Sequence, residues 1–161
     1  MEWSSRLNEL MECLKPGAFL SAEHGGVKNT MTIGWGYAGI MWNKPYFIAL
    51  VRPSRYTHDL IVNSKEFTVS VPKAGSMSPE LKTCGVKSGR DINKSEVVRF
   101  VDGKSVNAPV VYGCDMYFEC RVNYFHALDK ALMPAEILDS SYQDNSLHTL
   151  FFGEIVDYYE K

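Results

Sequence analysis

Two arginines and two hydroxyl side chains lie close together in residues 52–57, whose sequence is RPSRYT. Ser54 is a favourable helix N-cap, and the apolar residues Leu60 and Ile61 predict a helix that runs to about Asn63. The free N–H groups at a helix start, hydroxyls and guanidiniums all donate hydrogen bonds to phosphate. The segment therefore predicts an anion site, and the alternative is an ordinary helix cap with solvated arginines.

A polar strand start and a glycine-spaced aromatic segment precede this anion-site candidate. Residues 29–32 read NTMT, and residues 34–39 read GWGYAG. Glycine lets the backbone approach a ligand closely or lets the chain turn. A continuous apolar run at residues 46–51 is typical of an interior strand and connects this segment to the arginines. Residues 28–57 together predict one binding surface for a flat, aromatic, phosphorylated ligand.

The glycines at residues 34–39 also match the dinucleotide-binding pattern GxGxxG, and Asp59 follows about 20 residues later. In that motif a helix must begin at the glycines, so that its N-terminus can meet the pyrophosphate. Here Pro45 would interrupt such a helix, and an apolar strand follows at once. The sequence therefore does not predict a dinucleotide-binding fold, and residues 36–45 are interpreted as a short aromatic connection between strands.

Other candidate residues are spread along the rest of the chain. Residues 88–94 (SGRDINK) predict either a loop that covers the ligand and adds cations to the anion site, or a solvated turn. His24, His58 and His126 are scattered, without the spacing of a metal site. His148 lies just before the final predicted strand and is the one histidine that stands out as a candidate, although on its own such a residue is more often structural or at the surface.

Length, charge and composition restrict the possible functions. The 161 residues predict a single domain over residues 1–161. The net charge of −2 is interspersed, so the sequence lacks the long basic face of a nucleic-acid-binding protein. No apolar run approaches the length of a membrane span, and the N-terminus lacks the pattern of a signal peptide, which predicts a cytoplasmic protein with reduced thiols. The four cysteines form no CxxC pair: Cys13, Cys84, Cys114 and Cys120.

Hydrophobic periodicity predicts many short strands and few helices. Helices are expected at residues 3–14, from Ser54 and from Ser78, and residues 85–96 are expected to be a loop. The alternation at Phe67, Val69 and Val71 predicts a half-buried strand. Few βαβ units are visible, so the chain predicts a mainly β protein, a closed or nearly closed antiparallel barrel. The remaining predicted strands are residues 18–22, 27–35, 46–51, 110–125, 132–138 and 150–159.

These segments resemble a known family. The run NTMTIGWGYAGIMWNKPYFIALVRPSRYTHDLIVNSKEFTVSVP is similar to the flavin reductase-like proteins, and CGVKSGRDINK is similar to their flavoredoxin branch. The resemblance covers residues 17–94 and, more loosely, LHTLFFGEIV near the end. It implies the FMN-binding split β-barrel, an antiparallel fold of Greek-key type.

The resemblance also implies site residues, with no metal. The histidine before the last strand is expected near the flavin or nicotinamide, although Leu147 stands where relatives often have an acidic residue. That histidine, His148, is the only implied catalytic residue. The implied FMN-binding residues fall in three groups. Asn29, Met31, Thr32, Gly34 and Trp35 face the isoalloxazine and ribityl chain, Arg52, Ser54, Arg55 and Thr57 the phosphate, and Ser88, Arg90 and Lys94 belong to the covering loop.

By this resemblance the chain is an FMN-binding oxidoreductase that takes a hydride from NADH or NADPH and passes electrons to free flavin or to a small-molecule or protein redox partner. The alternative is a flavoredoxin-type electron carrier, or a flavin-binding protein, with little NAD(P)H activity. An activity like that of pyridoxamine phosphate oxidase is a distant third, because that fold is related. The resemblance further implies a homodimer with FMN at the subunit interface.

Overall fold

The computed structural model describes residues 2–161 of the chain. Its nine strands are β1 (Ala18–His24), β2 (Val27–Ile33), β3 (Gly36–Met41), β4 (Lys44–Val51), β5 (Glu66–Val71), β6 (Phe100–Val101), β7 (Val110–Val111), β8 (Met116–Ala127) and β9 (Thr149–Glu160). Its four helices within this range are α1 (Leu7–Leu14), α2 (Tyr56–Ser64), α3 (Ser78–Val86) and α4 (Ala135–Ser141). None of the helices in this range is long and apolar enough to cross a membrane.

Seven of these strands form one antiparallel sheet in the order β2-β1-β5-β8-β9-β4-β3. Strands β2 and β3 are the two edges, and β2 lies close to β4 without pairing with it. The sheet therefore curls into a barrel that stays open between these edges. Strands β6 and β7 form a separate small hairpin. The mainly β, antiparallel fold predicted from the sequence is confirmed.

The barrel interior is filled by aromatic side chains from four neighbouring strands. Phe47, Phe67, Phe118 and Phe151 are each almost completely buried, and Phe47 packs edge-on against Phe67. A Cβ atom at Gly153 would lie only 2.5 Å from the Phe67 ring. The absence of a side chain on β9 at this position is therefore what lets the Phe67 ring occupy the centre of the core.

The predicted aromatic connection at residues 36–45 is wrong, because residues 36–41 form strand β3. This strand pairs with β4 in a hairpin whose turn is Trp42-Asn43, with φ values of 50° and 58°. Left-handed backbone at both turn residues matches the right-handed twist of the strands. Asn43 is a usual residue for such a turn and Trp42 is not, so the hairpin signal is weak in the sequence.

The predicted strand at residues 132–138 is also wrong. The chain forms a 3-10 turn at Lys130–Leu132 and then helix α4, with Pro134 as its N-cap. Proline has a fixed φ and no N–H, so it interrupts a strand ladder but is tolerated at a helix start. Residues 110–125 are likewise divided, into β7 and β8, by a turn in which Gly113 has φ +94°.

Three further boundaries and the burial of one strand differ from the expectation. Helix α1 begins at Leu7, after a turn. Helix α2 begins at Tyr56 with Arg55 as its N-cap, so Ser54 is not the cap. Strand β5 is buried on both faces. The small hairpin covers one of them, where Val111 N donates a hydrogen bond to Ser70 Oγ. The predicted loop at residues 85–96 begins with the end of α3 and closes with a 3-10 turn at Lys94–Glu96.

Candidate functional site

An open cleft of about 450 Å³ lies where β2, β4 and the start of β9 meet, and we call it the first cleft. Its base includes Met31 from β2 and Leu50 from β4, and Trp35 in the β2–β3 connection stands at its side with half of its surface exposed. The other lining residues are Thr32, Ile33, Gly34, Arg52, Ser54, Arg55 and His148. An apolar base beside an exposed indole suits a flat aromatic ligand.

A second cleft of about 210 Å³ adjoins the first and shares Met31, Ser54 and Arg55 with it. We call it the second cleft. Asn29 Nδ2 donates to Thr57 Oγ1 at 2.9 Å, which fixes both buried side chains at its wall. The hydroxyl of Ser54 makes no hydrogen bond within residues 2–161. The second cleft lies at the start of helix α2, so these polar side chains are next to the first N–H groups of the helix, which have no partner within the helix.

Arg55 lies between the two clefts. Its Nη1 donates to the Gly85 carbonyl oxygen at 2.9 Å, and no carboxylate in residues 2–161 forms an ion pair with it. Burial, and next the charge of Arg52, lower the pKa of the Arg55 guanidinium. Both effects mean that this cation is poorly compensated by the chain itself. Its remaining donors are suited to an anionic ligand.

Arg52 lines the first cleft but is largely occupied by the segment between α4 and β9. Its guanidinium donates to the carbonyl oxygens of Ser146 at 2.7 Å and Ser141 at 2.9 Å, and pairs with Asp144 at 3.2 Å. It also lies 5.2 Å from the centre of the Tyr142 ring. These contacts hold the chain that leads into β9, so Arg52 positions one side of the first cleft in addition to supplying charge.

His148 directly precedes β9 and is 9% exposed. Its Nδ1 lies 2.7 Å from the hydroxyl of Tyr142, and its ring is 5.1 Å from that of Trp35. Burial, followed by the positive charges of Arg52 and Arg55, lowers the pKa of His148 to about 4. The imidazole is therefore neutral at pH 7.

The partner of His148 determines where its proton lies. Burial raises the pKa of Tyr142, so this phenol stays protonated and can donate to Nδ1. With that hydrogen bond, the ring proton of His148 is on Nε2. His148 then offers a neutral N–H donor beside an exposed indole.

Lys94 forms part of the wall of the second cleft. It is 3% exposed, and its Nζ donates to the carbonyl oxygens of Thr30 at 2.8 Å and Cys84 at 3.3 Å. The side chain thus joins β2 to α3, while burial lowers the pKa of its ammonium group. Thr32 makes a second connection between the same two elements, since its hydroxyl donates to the Leu81 carbonyl oxygen at 2.5 Å.

Residues 88–94 adjoin the second cleft, as the sequence suggested, but Arg90 lies outside it. Ser88 lines the second cleft, and its hydroxyl accepts a hydrogen bond from Arg90 N. The Arg90 guanidinium donates to Asp59 Oδ2 at 2.7 Å and to the Ser54 carbonyl oxygen at 3.2 Å, and lies over the Tyr56 ring. Arg90 borders a neighbouring groove instead.

The structure thus brings most of the predicted site residues together. Eight of them line the first cleft: Met31, Thr32, Gly34, Trp35, Arg52, Ser54, Arg55 and His148. Asn29, Thr57, Ser88 and Lys94 line the second. The sequence did not predict Leu50 or Tyr142 as site residues, nor the contact between Asp59 and Arg90. Tyr142 had one signal, as a single aromatic residue within a polar connection six positions before His148, but Leu50 is indistinguishable from the other apolar residues of β4.

The architecture is shared with solved FMN-binding proteins. Flavoredoxin from Methanosarcina acetivorans superposes with a TM-score of 0.71 and 28% identity, over 91% of this chain and 69% of that one. An FMN-binding protein from Thermus thermophilus superposes with a TM-score of 0.72 and 20% identity, over 90% and 71% of the two chains. The fold is therefore the one found in flavin reductase-like FMN-binding proteins.

The sequence match identifies the family. Residues 11–161 match the model of the flavin reductase like domain, so the chain belongs to that family, as its sequence motifs predicted. A curated relative, an uncharacterised protein of Archaeoglobus fulgidus, is 32% identical over 130 residues, which are 80% of this chain and 63% of the relative. The chain thus spans less than two thirds of that relative's length.

Proposed function

We propose that this chain is a cytoplasmic FMN-dependent oxidoreductase of the flavin reductase type, with residues 1–161 forming one domain. The observation that carries the proposal is Arg55, a half-buried guanidinium that lines both clefts and has no carboxylate partner within residues 2–161. A cation held in this way is costly unless an anion compensates it. A ligand with one terminal phosphate supplies this anion, and a flat ring on the same ligand suits the apolar base of the first cleft.

In this proposal the second cleft holds the phosphate and the first cleft holds the ring system. Arg55, Ser54 and Thr57 supply donors at the start of α2, where the helix dipole also favours negative charge. Trp35 and Leu50 give the ring an apolar surface. The remaining proposed FMN-binding residues are Asn29, Met31, Thr32, Gly34, Arg52, Ser88 and Lys94. Arg90, which the resemblance also implied, borders a neighbouring groove and is not included.

Bound FMN would supply the redox chemistry, accepting a hydride at N5 from NADH or NADPH and passing electrons to free flavin or another acceptor. The protein's part is to bind, orient and exclude water. We propose that His148, neutral and fixed by Tyr142, donates its Nε2 proton as a hydrogen bond to the ligand. A neutral donor polarises an acceptor atom and adds no positive charge beside Arg52 and Arg55.

A flavoredoxin-type electron carrier is the second candidate. Two observations favour it: the 28% identity to the flavoredoxin from Methanosarcina acetivorans, and Leu147 in place of an acidic residue beside His148. A carrier has little need for a nicotinamide pocket and exchanges electrons with a protein partner instead.

Binding of FMN is tested by its visible spectrum and by titration of the protein with FMN, followed by the quenching of flavin fluorescence. Replacing Arg55 with Ala should weaken binding by about 1–3 kcal/mol, the range for a charge-assisted hydrogen bond. Arg121 is the control, because its guanidinium also donates to a carbonyl oxygen (Ser105) but lines neither cleft. Equal FMN affinity in Arg55→Ala, Arg121→Ala and wild type would refute the phosphate assignment.

Stopped-flow reduction separates the enzyme from the carrier. Bleaching of protein-bound FMN within seconds of mixing with NADH or NADPH would support the oxidoreductase. Bleaching only by dithionite or by a reduced protein partner would support the carrier.

Trp35→Ala should change the fluorescence or the potential of the bound flavin. If both the fluorescence and the potential are unchanged, Trp35 does not contact the ring.

We also propose that the chain forms a homodimer through the outer face of the barrel. Tyr37, Ile48, Phe152 and Tyr124 lie directly opposite one another across β3, β4, β9 and β8, and form an apolar stripe. Tyr37 and Tyr124 are nearly half exposed. Leu50 lies two residues beyond Ile48 on the same face, so the stripe leads directly into the first cleft. A second copy on this stripe would therefore border the ligand.

The dimer is tested by light scattering on the purified protein. Tyr124→Glu should give a monomer with weakened FMN binding, because a charge in an apolar interface loses its hydration. The control is Tyr112→Glu, which changes an exposed tyrosine outside the stripe. A wild-type monomer that binds FMN fully would refute the proposed interface.

A further inference from the structure

Residues 87–93 form a segment that encloses the second cleft, and we call it the covering segment. Lys87, Ser88, Gly89 and Asp91 line this cleft together with residues of β2 and α2. Gly89 packs so tightly that an added Cβ would lie 2.1 Å from Asn29 Oδ1. The covering segment therefore lies directly against the wall of the cleft in this structure.

The covering segment is fixed firmly at its two ends. It follows the last residue of α3, and the Lys87 N–H donates to the Thr83 carbonyl oxygen. At the other end, the buried Lys94 joins β2 to α3. Any opening of the segment must therefore occur between Lys87 and Lys94.

Between these ends, one side chain makes all the hydrogen bonds that reach distant parts of the described chain, residues 2–161. Within residues 2–161, the other hydrogen bonds of residues 88–93 reach only neighbours in sequence, such as Asp91 N to the Ser88 carbonyl oxygen. Arg90 alone reaches across, to Asp59 at 2.7 Å and to the Ser54 carbonyl oxygen at 3.2 Å. Its guanidinium carbon also lies 4.8 Å from the centre of the Tyr56 ring.

We propose that Arg90 and Asp59 form a latch that holds the covering segment over the second cleft and so limits the exchange of the bound phosphorylated ligand. This inference rests on the proposed binding of FMN. Arg90 is then a positioning residue, because its guanidinium contacts the first turn of α2 and not the cleft. Asp59 has the same role from the opposite side, although it lines neither cleft.

The competing role for Arg90 is direct binding of the phosphate. Asp59 and the Ser54 carbonyl oxygen already take donors on both Nη atoms, and the face of the guanidinium covers Tyr56. Reaching the phosphate would require Arg90 to give up these contacts. The two roles make opposite predictions for Asp59. If Arg90 is part of a latch, removing the Asp59 carboxylate opens the latch and speeds the release of FMN. If Arg90 binds the phosphate, removing that carboxylate frees the guanidinium to bind it.

The latch is tested by the rate at which the 161-residue protein releases FMN. Each protein is loaded with FMN and mixed in a stopped-flow instrument with an excess of a second apoprotein that traps free flavin. The variants are Asp59→Asn, Arg90→Met, Arg90→Lys and the double variant Asp59→Asn/Arg90→Met. Arg121→Met is the matched control, and thermal unfolding verifies that each variant is folded. Association rates are measured separately.

A latch predicts that Asp59→Asn and Arg90→Met each raise the release rate by about threefold to tenfold, the range for an exposed ion pair supported by a cation–π contact. The double variant should release FMN no faster than the faster single variant, because both changes break the same contact. Arg90→Lys should fall between Arg90→Met and wild type. Association rates should not fall, and Arg121→Met should behave as wild type.

A different pattern would overturn the latch. If Arg90→Met slows association and speeds release, while Asp59→Asn leaves release unchanged or slows it, Arg90 is a phosphate ligand. If wild type does not bind FMN, the proposed function fails, and the latch is judged by hydrogen exchange in the ligand-free protein. Asp59→Asn should then speed amide exchange in residues 88–93, and equal exchange in both proteins would refute the latch.

Discussion

Acid should destabilise this protein in part through the buried imidazole of His148. In the folded chain its pKa is about 4, whereas an unfolded histidine titrates near 6.5. Above pH 6.5 the imidazole is neutral in both states, and it adds no pH dependence. As the pH falls below 6.5 the unfolded chain takes up the proton first, so stability is lost until the folded pKa is reached. This linkage is worth about 2 kcal/mol at pH 5 and about 3 kcal/mol at pH 4.

The assay is urea unfolding of wild type and His148→Gln between about pH 7.5 and about pH 4. Glutamine keeps an acceptor for the Tyr142 hydroxyl but does not titrate. The free energy of unfolding of wild type should fall by about 2 kcal/mol more than that of the variant between pH 7.5 and pH 5. His58, whose pKa burial also lowers, is present in both proteins, so its contribution cancels in the comparison.

Two parallel curves, with a constant difference in unfolding free energy across this range, would refute the reasoning. They would mean that the folded protein accepts a proton on His148 as readily as the unfolded chain does. Direct observation of the His148 ring protons by NMR gives an independent value. A midpoint near 6.5 would show that burial and the two arginine charges do not act on this imidazole as the structure implies.

Three further predictions concern the core. Glu119→Gln should cost about 2–4 kcal/mol in urea unfolding, because the buried carboxylate accepts three main-chain N–H bonds and the Tyr159 hydroxyl; a loss below about 0.5 kcal/mol would contradict this. Gly153→Ala should cost about 1–3 kcal/mol by forcing its methyl group against Phe67, and an unchanged urea midpoint would show that the ring can move. The four buried cysteines should not react with a thiol reagent in the native protein, since burial raises their pKa values, but all four should react in urea; rapid native labelling would disprove their burial.

The interior position of β4 could be predicted, because a continuous apolar run indicates a strand that is buried on both faces. Two errors have a local cause. The turn at Trp42-Asn43 gives a weak hairpin signal, so β3 was interpreted as a connection. Apolar residues on both sides of Pro134 were interpreted as a strand, although proline at a helix start was the stronger signal. The double-sided burial of β5 could not be predicted, since it depends on a distant hairpin.

The site residues could be found by type and spacing, but their individual roles could not. Arg52 and Arg55 are equivalent in the sequence, as cations near a predicted helix start, and Arg90 is a third cation in a predicted loop. In the structure Arg52 holds the chain before β9, Arg90 contacts Asp59, and only Arg55 lacks a carboxylate partner within the described residues. Which guanidinium charge is paired depends on carboxylate and carbonyl groups that lie far away in the sequence. The spacing of residues along the chain does not predict these contacts.

Most of the cations that line the two clefts already donate hydrogen bonds to other parts of the chain, and these contacts have a consequence for the binding of an anion. Arg52 and Lys94 donate to main-chain carbonyl oxygens in neighbouring elements, so they fix the walls of the two clefts while their charge still contributes to the field inside. A phosphate would then meet a positive potential whose sources do not have to move, which lowers the entropic cost of binding. Lys94→Met removes two hydrogen bonds of a buried ammonium group and Arg55→Met removes one of a half-buried guanidinium, so Lys94→Met should cost more unfolding free energy even though both variants weaken the binding of an anion.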